Sequence, residues 1–197
     1  MYPCVTIPLP EPRPPFNSYV WGLSRISHHK QFSAAPNEYV YNPSEIGDGV
    51  TAYVIDTGVR KDHPEFEGRA SWGVGTVPGA SQMDTNGHGT HVAGTIASKT
   101  YGVAKKAKII DVKVYPDNSS STSTCALIAG LDWAVSHALA NNIIGKSVAN
   151  ISSGGGKSTA FNTAVAVAVR KGMIVVVAAG NEKVIETIPI KFSYTDC

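Results

Sequence analysis

Four runs of apolar, mostly β-branched residues punctuate the chain, and each is cut off by glycine or a polar turn. Val50–Ile55 stops at Asp56-Thr57-Gly58, Ile109–Val114 follows, Lys146–Ser152 stops at Gly154-Gly155-Gly156, and Met173–Ala178 stops at Gly180-Asn181. Runs this short and this continuous suit strands buried on both faces. Between them the period changes. Ile128, Leu131, Val135 and Leu139 recur at three to four residues after the Ser/Thr-rich stretch 119–124. Phe161, Ala164, Val165, Ala168 and Val169 form a second helical stripe, closed by Lys171-Gly172. A third, shorter helix of small residues is expected from His91 through Ala97. Strands alternating with helices predict an α/β fold with a mainly parallel sheet covered on both sides.

The regions outside this pattern are of a different character. Six of the twelve prolines fall within the first fifteen residues, so residues 1–18 are expected to form an extended, poorly ordered arm. No basic segment followed by an apolar core is present there, and no signal peptide is visible. Residues 19–42 are aromatic and polar without period, a surface wrapping with one helical turn. At 197 residues, 43% hydrophobic and 16% charged, the chain suits a single globular domain. A formal charge of +2 without a Lys/Arg run gives no sign of nucleic acid as a partner. The run Met173–Ala179 is too short to span a membrane. Cys4, Cys125 and Cys197 are far apart, which suits neither a zinc site nor a dense disulfide framework. Cys125 is expected to be a small buried residue.

Parallel sheets gather functional groups at the carboxyl ends of their strands. Here those ends carry Asp56, then Ser152 with its glycines, then Asn181. His88 stands between Gly87 and Gly89 at a helix entrance, where the backbone can bring the ring close to a partner. A carboxylate holding one imidazole nitrogen leaves the other free as a general base, and a nearby amide can donate to a developing oxyanion.

At these residues the chain resembles a known family. Asp56-Thr57-Gly58, His88-Gly89-Thr90-His91-Val92-Ala93-Gly94-Thr95 and Ala178-Ala179-Gly180-Asn181 resemble the successive motifs of the subtilisin-like serine proteases, in their order. Trp21–Ser27 and Tyr101–Lys105 are similar to the fungal proteinase K and cerevisin branch. The resemblance covers residues 19–182, a partial peptidase domain, and leaves 183–197 as a divergent tail. It implies a three-layer subtilisin-like fold, incomplete at the C-terminus. Asp56 would orient, His88 would be the base, and Asn181 the oxyanion donor. His91 would be structural, packed inside its helix. Ser152, Ser153, Gly154 and Gly155 would form the strand that pairs with substrate, and Ala178, Ala179 and Gly180 would line the other side of the specificity pocket. Ser153 stands where the family usually has leucine, which implies a more polar wall. The family's Gly-Thr-Ser-Met-Ala nucleophile motif is absent from the 197 residues, so the resemblance implies a fragment that is inactive as it stands. A non-catalytic remnant that binds peptides or a propeptide through the 152–156 strand is the alternative. The family further implies a secreted or vacuolar, monomeric protein acting on peptide or protein substrates, with an inhibitory propeptide as a further partner. No cofactor is expected; calcium is common in the family, with no site assigned here.

Other motifs carry less. Asp-Thr-Gly also marks aspartic proteases, which need two such loops on an all-β framework. Gly156-Lys157-Ser158 imitates a phosphate-binding loop, but Ile151 stands where that motif requires glycine. His88 and His91 lack the partners of a zinc site. Two glycosylation sequons occur: Asn118-Ser119-Ser120 in a polar loop, usable in a secreted chain, and Asn150-Ile151-Ser152 on an expected buried strand.

Overall fold

The computed structural model describes residues 5–8, 21–27 and 38–180. Its centre is a five-stranded parallel sheet built from β3 (Thr51–Asp56), β4 (Ala70–Gly75), β5 (Lys108–Lys113), β6 (Ser147–Ile151) and β7 (Ile174–Val177), in the order β4-β5-β3-β6-β7. Helices α2 (His88–Ala97), α3 (Thr124–Ala140) and α4 (Thr159–Arg170) supply the crossovers. Val5–Pro8 (β1) lies within the arm expected to be poorly ordered, and it pairs antiparallel with β2 (Glu38–Tyr41). The helical turn expected in the wrapping segment is α1 (Trp21–Ile26).

The alternation of side chains along β3 divides the interior in two. Ala52 and Val54 face Ala93 and Ala97 of α2, together with Ile109 of β5. Tyr53 and Ile55 face the other way, onto Leu127 and Leu131 of α3 and Phe161 of α4. All six residues of β3 are buried, as a central strand of a three-layer sandwich must be. Each large apolar side chain buried there contributes about 1.5–3 kcal/mol. Both helices of the second layer begin at serine caps: Ser123 Oγ accepts from the Ala126 N–H at 3.1 Å, and Ser158 Oγ from the Phe161 N–H at 3.2 Å.

Because all five strands run the same way, their carboxyl ends share one edge. Asp56 ends the middle strand, the 152–156 segment leaves β6 beside it, and residues 178–180 leave β7 beyond. Among the described residues no helix is long and apolar enough to cross a membrane.

Candidate active site

Asp56 is pinned by its place at the end of β3: it is 1% exposed, and its backbone pairs with β5. Its Oδ1 accepts the Thr57 N–H at 2.7 Å. The same oxygen lies 2.7 Å from His88 Nδ1. Oδ2 is buried with no hydrogen-bond partner among the described residues. Burial pushes the Asp56 carboxyl above its ordinary value; the hydrogen bonds from His88 and Thr57 pull against it without cancelling it. With the proton on Nδ1 donated to Asp56, His88 Nε2 is left as the acceptor, and the ring is half exposed at 51%.

The approach of the two elements depends on two glycines. Gly87, the residue before α2, has φ +96°, a conformation that side chains disfavour. At Gly89 an added Cβ would meet the Gly58 carbonyl oxygen at 2.1 Å and Asp56 Cβ at 3.1 Å. Only a residue without a side chain lets the first turn of α2 settle against the end of β3.

Asp84, which the sequence reading passed over, ties the histidine loop together. Its Oδ1 accepts the N–H groups of Gly87 (2.8 Å) and Asn86 (3.1 Å) and the Thr57 hydroxyl (3.0 Å). Its Oδ2 accepts the Thr90 N–H at 3.0 Å and the Thr90 hydroxyl. Thr57 Oγ1 in turn accepts the Gly89 N–H at 3.0 Å, which links the strand end to the helix entrance. Burial alone would raise the Asp84 carboxyl, but the donors from Thr90, Gly87 and Thr57 outweigh it and hold it below its ordinary value. A signal was present in the sequence. Asp-x-x-Gly before a helix, with Thr90 six residues on, is a side-chain cap on the helix N-terminus.

Beneath this loop lies a buried charge cluster. Lys113 is fully buried, and its Nζ donates to the carbonyls of Thr57 (2.6 Å) and Met83 (3.0 Å) while pairing with Asp117 at 3.2 Å. All three ammonium hydrogens therefore have a partner. Asp111, two residues earlier on the same strand, is also fully buried, and neither oxygen closes a well-formed hydrogen bond. Burial pushes it up to about 7 against the pull of the Val59 backbone, Lys61 and Lys113, with Asp84 adding to the rise.

The remaining predicted residues fall along the same edge. Ser152 is half-buried, its Oγ accepting from Asn150 Nδ2 at 2.9 Å. Ser153 is buried, and its Oγ is hydrogen-bonded to the Tyr115 hydroxyl at 2.8 Å. Tyr115 follows β5 and Ser153 follows β6, so this bond spans the end of β3, which lies between those strands. Gly154 is exposed, and Gly155 is half-buried. Ala178, Ala179 and Gly180 are exposed, with the Ala178 N–H donating to the Ile151 carbonyl at 3.2 Å. Asn181 lies outside the described residues.

Two expectations are corrected. His91 is not packed inside its helix; it is exposed and lines an apolar groove of about 630 Å³ with Leu23, Ile26 and Phe66. Three residues after His88, it points about 60° away from it around the helix, off the face that Ala93 and Ala97 bury. Cys125 is half-buried and disulfide-bonded rather than a buried thiol; Cys4 and Cys197 lie outside the described residues. Among the described residues no group of three or more histidine, cysteine, aspartate or glutamate side chains could hold a metal ion.

A parallel three-layer fold, with an aspartate at the end of its central strand and a histidine at the entrance of the next helix, defines the subtilisin-like class. The chain belongs to the subtilase family (Peptidase_S8), which matches residues 47–195 and so extends past Glu182. It is 54% identical over 164 residues to a subtilisin-like protease of Coccidioides posadasii, covering 83% of this chain and 40% of that protein. It is 49% identical over 162 residues to subtilisin-like protease 1 of Arthroderma otae, covering 82% and 32%. The crystal structure of a cold-adapted subtilisin-like serine proteinase superposes with a TM-score of 0.71 at 46% identity, over 82% of this chain and 56% of that one. The chain thus spans about two fifths or less of the length of these curated relatives.

Proposed function

We propose that this chain carries the acid–base part of a serine endopeptidase of the subtilisin type, which hydrolyses peptide bonds through an Asp–His–Ser triad. The observation that supports it most is the 2.7 Å contact between Asp56 and His88 at the shared strand edge. Asp56 holds the Nδ1–H tautomer and offsets the charge that develops on the ring. His88 Nε2 takes the proton of the attacking hydroxyl and returns it to the leaving amine. Asn181 is assigned the oxyanion by the family pattern.

The substrate in this reading is an extended peptide or protein segment that pairs with the backbone of Ser152–Gly155. The exposure of Gly154 supports that placement. The Tyr115–Ser153 bond makes that wall polar where the family usually presents leucine. Ala178–Gly180 form the facing wall, and no cofactor enters the mechanism. A secreted or vacuolar location agrees with the disulfide at Cys125, since such bonds persist in oxidising compartments.

The 197 residues contain no Gly-Thr-Ser-Met-Ala segment. The chain as it stands is therefore assigned no turnover; removal of the nucleophile cost about a factor of 10⁶ in a subtilisin. The 152–156 segment, which leaves β6 at the same edge with Gly154 exposed, supports a second reading: binding of peptides or a propeptide without cleavage. One experiment addresses both readings. The purified protein, incubated with a generic peptide substrate and a serine-directed phosphonate, should show neither cleavage nor labelling. A chimera joining residues 1–181 to the remainder of the cold-adapted proteinase should cleave, and should lose activity on His88→Ala. Labelling of the unmodified chain, or a cleaving chimera indifferent to His88→Ala, would overturn the proposal.

A further inference from the structure

The loop after β5 carries a group that the peptidase reading leaves unused. Pro116–Ser119 form a tight turn, closed by the Ser119 N–H on the Pro116 carbonyl at 3.4 Å. Asn118 occupies its third position with φ +54°, a conformation that asparagine tolerates better than most residues. Its backbone N–H is committed to Thr85 Oγ1 at 2.8 Å, which fixes the turn against the loop preceding His88. The Asn118 side chain is exposed. Among the described residues its amide has no hydrogen-bond partner. Two residues on, Ser120 is exposed with an equally uncommitted hydroxyl. The neighbouring Ser119 hydroxyl is taken up locally instead: Ser119 Oγ donates to the Ser121 carbonyl at 2.9 Å and accepts the Ser121 N–H at 3.1 Å.

The second sequon has none of these properties. Asn150 lies within β6, between β3 and β7, and its amide already donates to Ser152 Oγ at 2.9 Å, the hydroxyl of its own sequon. An oligosaccharide there would have to displace the strand from the sheet.

We infer that Asn118 is the N-glycosylation site of this chain and that its oligosaccharide stands beside the loop that carries His88. The position follows from the contacts. The His88 N–H donates to Asn86 Oδ1 at 3.3 Å, and Asn86 Nδ2 donates to the Ser119 carbonyl at 3.5 Å, so the turn is two hydrogen bonds from the histidine. The donor is a lipid-linked oligosaccharide pyrophosphate of the secretory pathway. The asparagine nitrogen forms a bond to the anomeric carbon of the first sugar. The bond from that carbon to the pyrophosphate oxygen breaks, and its electron pair leaves with the lipid pyrophosphate. One proton of the amide is released to a base. The inference rests on the secretory route proposed above but not on proteolysis.

The chain is expressed in yeast behind a cleavable secretion leader. Secreted and cell-associated material are both mapped by peptide mass before and after peptide-N-glycosidase treatment. The expected result is enzymatic conversion of Asn118 to aspartate in the wild type, with Asn150 unconverted. Asn118→Gln and Ser120→Ala should each abolish the glycan, and Asn150→Gln should leave it in place. Ser120→Ala removes a hydroxyl with no partner among the described residues, so it leaves the turn intact. An unmodified Asn118 in translocated chains, or a glycan on Asn150 in the secreted protein, overturns the inference. Neither result bears on the Asp56–His88 couple, and an inactive but glycosylated chain leaves the inference standing.

Discussion

Asp111 shows at the scale of one residue how a buried charge weighs on this fold. An acid whose folded-state value is raised binds more protons folded than unfolded, so the stability it allows is full below its unfolded value. That stability falls as pH rises through the folded value. For Asp111 the window runs from 3.8 to about 7. Asp111→Asn is therefore expected to stabilise the protein at neutral pH, by at most about 4 kcal/mol given that gap, with the advantage gone near pH 4. Urea unfolding of both proteins across that range measures it. A variant less stable than the wild type at pH 7 would show the carboxylate to be compensated by its neighbours. Asp56 bears the same kind of cost from burial, but there the neighbouring imidazole gives the cost a use.

The residues of the site were unevenly legible. Asp56 and His88 stand out because a polar residue ending a β-rich run and a histidine between glycines both break a local pattern. Asp84, Lys113 and Tyr115 do not. Asp84 sits in what reads as an ordinary polar turn. Lys113 looks like a surface residue until β5 is seen to place it under two loops. The partner of Tyr115 is 38 residues away in sequence.

Among the elements, the loop 84–90 and α2 act as one unit. Asp84 collects three backbone N–H groups that the first turn and its approach would otherwise leave unpaired. Asp84→Ala should cost about 1–3 kcal/mol, a side-chain cap together with charged hydrogen bonds. Because the Asp84 carboxyl lies below its ordinary value, its contribution is present above pH 3.8 and lost on further acidification. Chemical denaturation as a function of pH, with amide exchange at residues 86–90, would detect both effects. Unchanged protection of those amides would mean the loop is held by Lys113 and packing instead.

The elements themselves were read well where their periods are long. The four apolar strands fall within one residue of the runs that the sequence predicts, the stripe 161–169 lies within two residues of the ends of α4, and the stripe 128–139 lies inside α3, which begins four residues earlier. β4 escaped because Ala70-Ser71-Trp72-Gly73-Val74-Gly75 contains two glycines and little β-branching. The first of those glycines is required by the fold: a Cβ at Gly73 would meet the Asp111 carbonyl, Ile110 and Trp133, each at 2.7 Å. The pairing shifts register there, between Trp72 and Val74. The pairing of β1 with β2 was equally hidden, since proline and aromatic content masks a four-residue strand.

At the scale of the whole molecule, a parallel sheet converts distance along the chain into proximity. Asp56 and His88 are 32 residues apart in sequence, and the return of the chain through β4 to the entrance of α2 brings them to 2.7 Å. The α2 layer packs Ala93 and Ala97 onto β3, so the helix entrance has little freedom to drift from the strand end. The function of this edge therefore depends on the imidazole of His88 being held as one tautomer by one carboxylate. Nitrogen-15 and proton NMR of the imidazole, in the wild type and in Asp56→Ala, reads this directly. The expected result is a strongly deshielded Nδ1 proton at neutral pH with Nε2 unprotonated, and loss of that signal in the variant. A ring whose tautomers and shifts are the same with and without the Asp56 carboxylate would contradict the account.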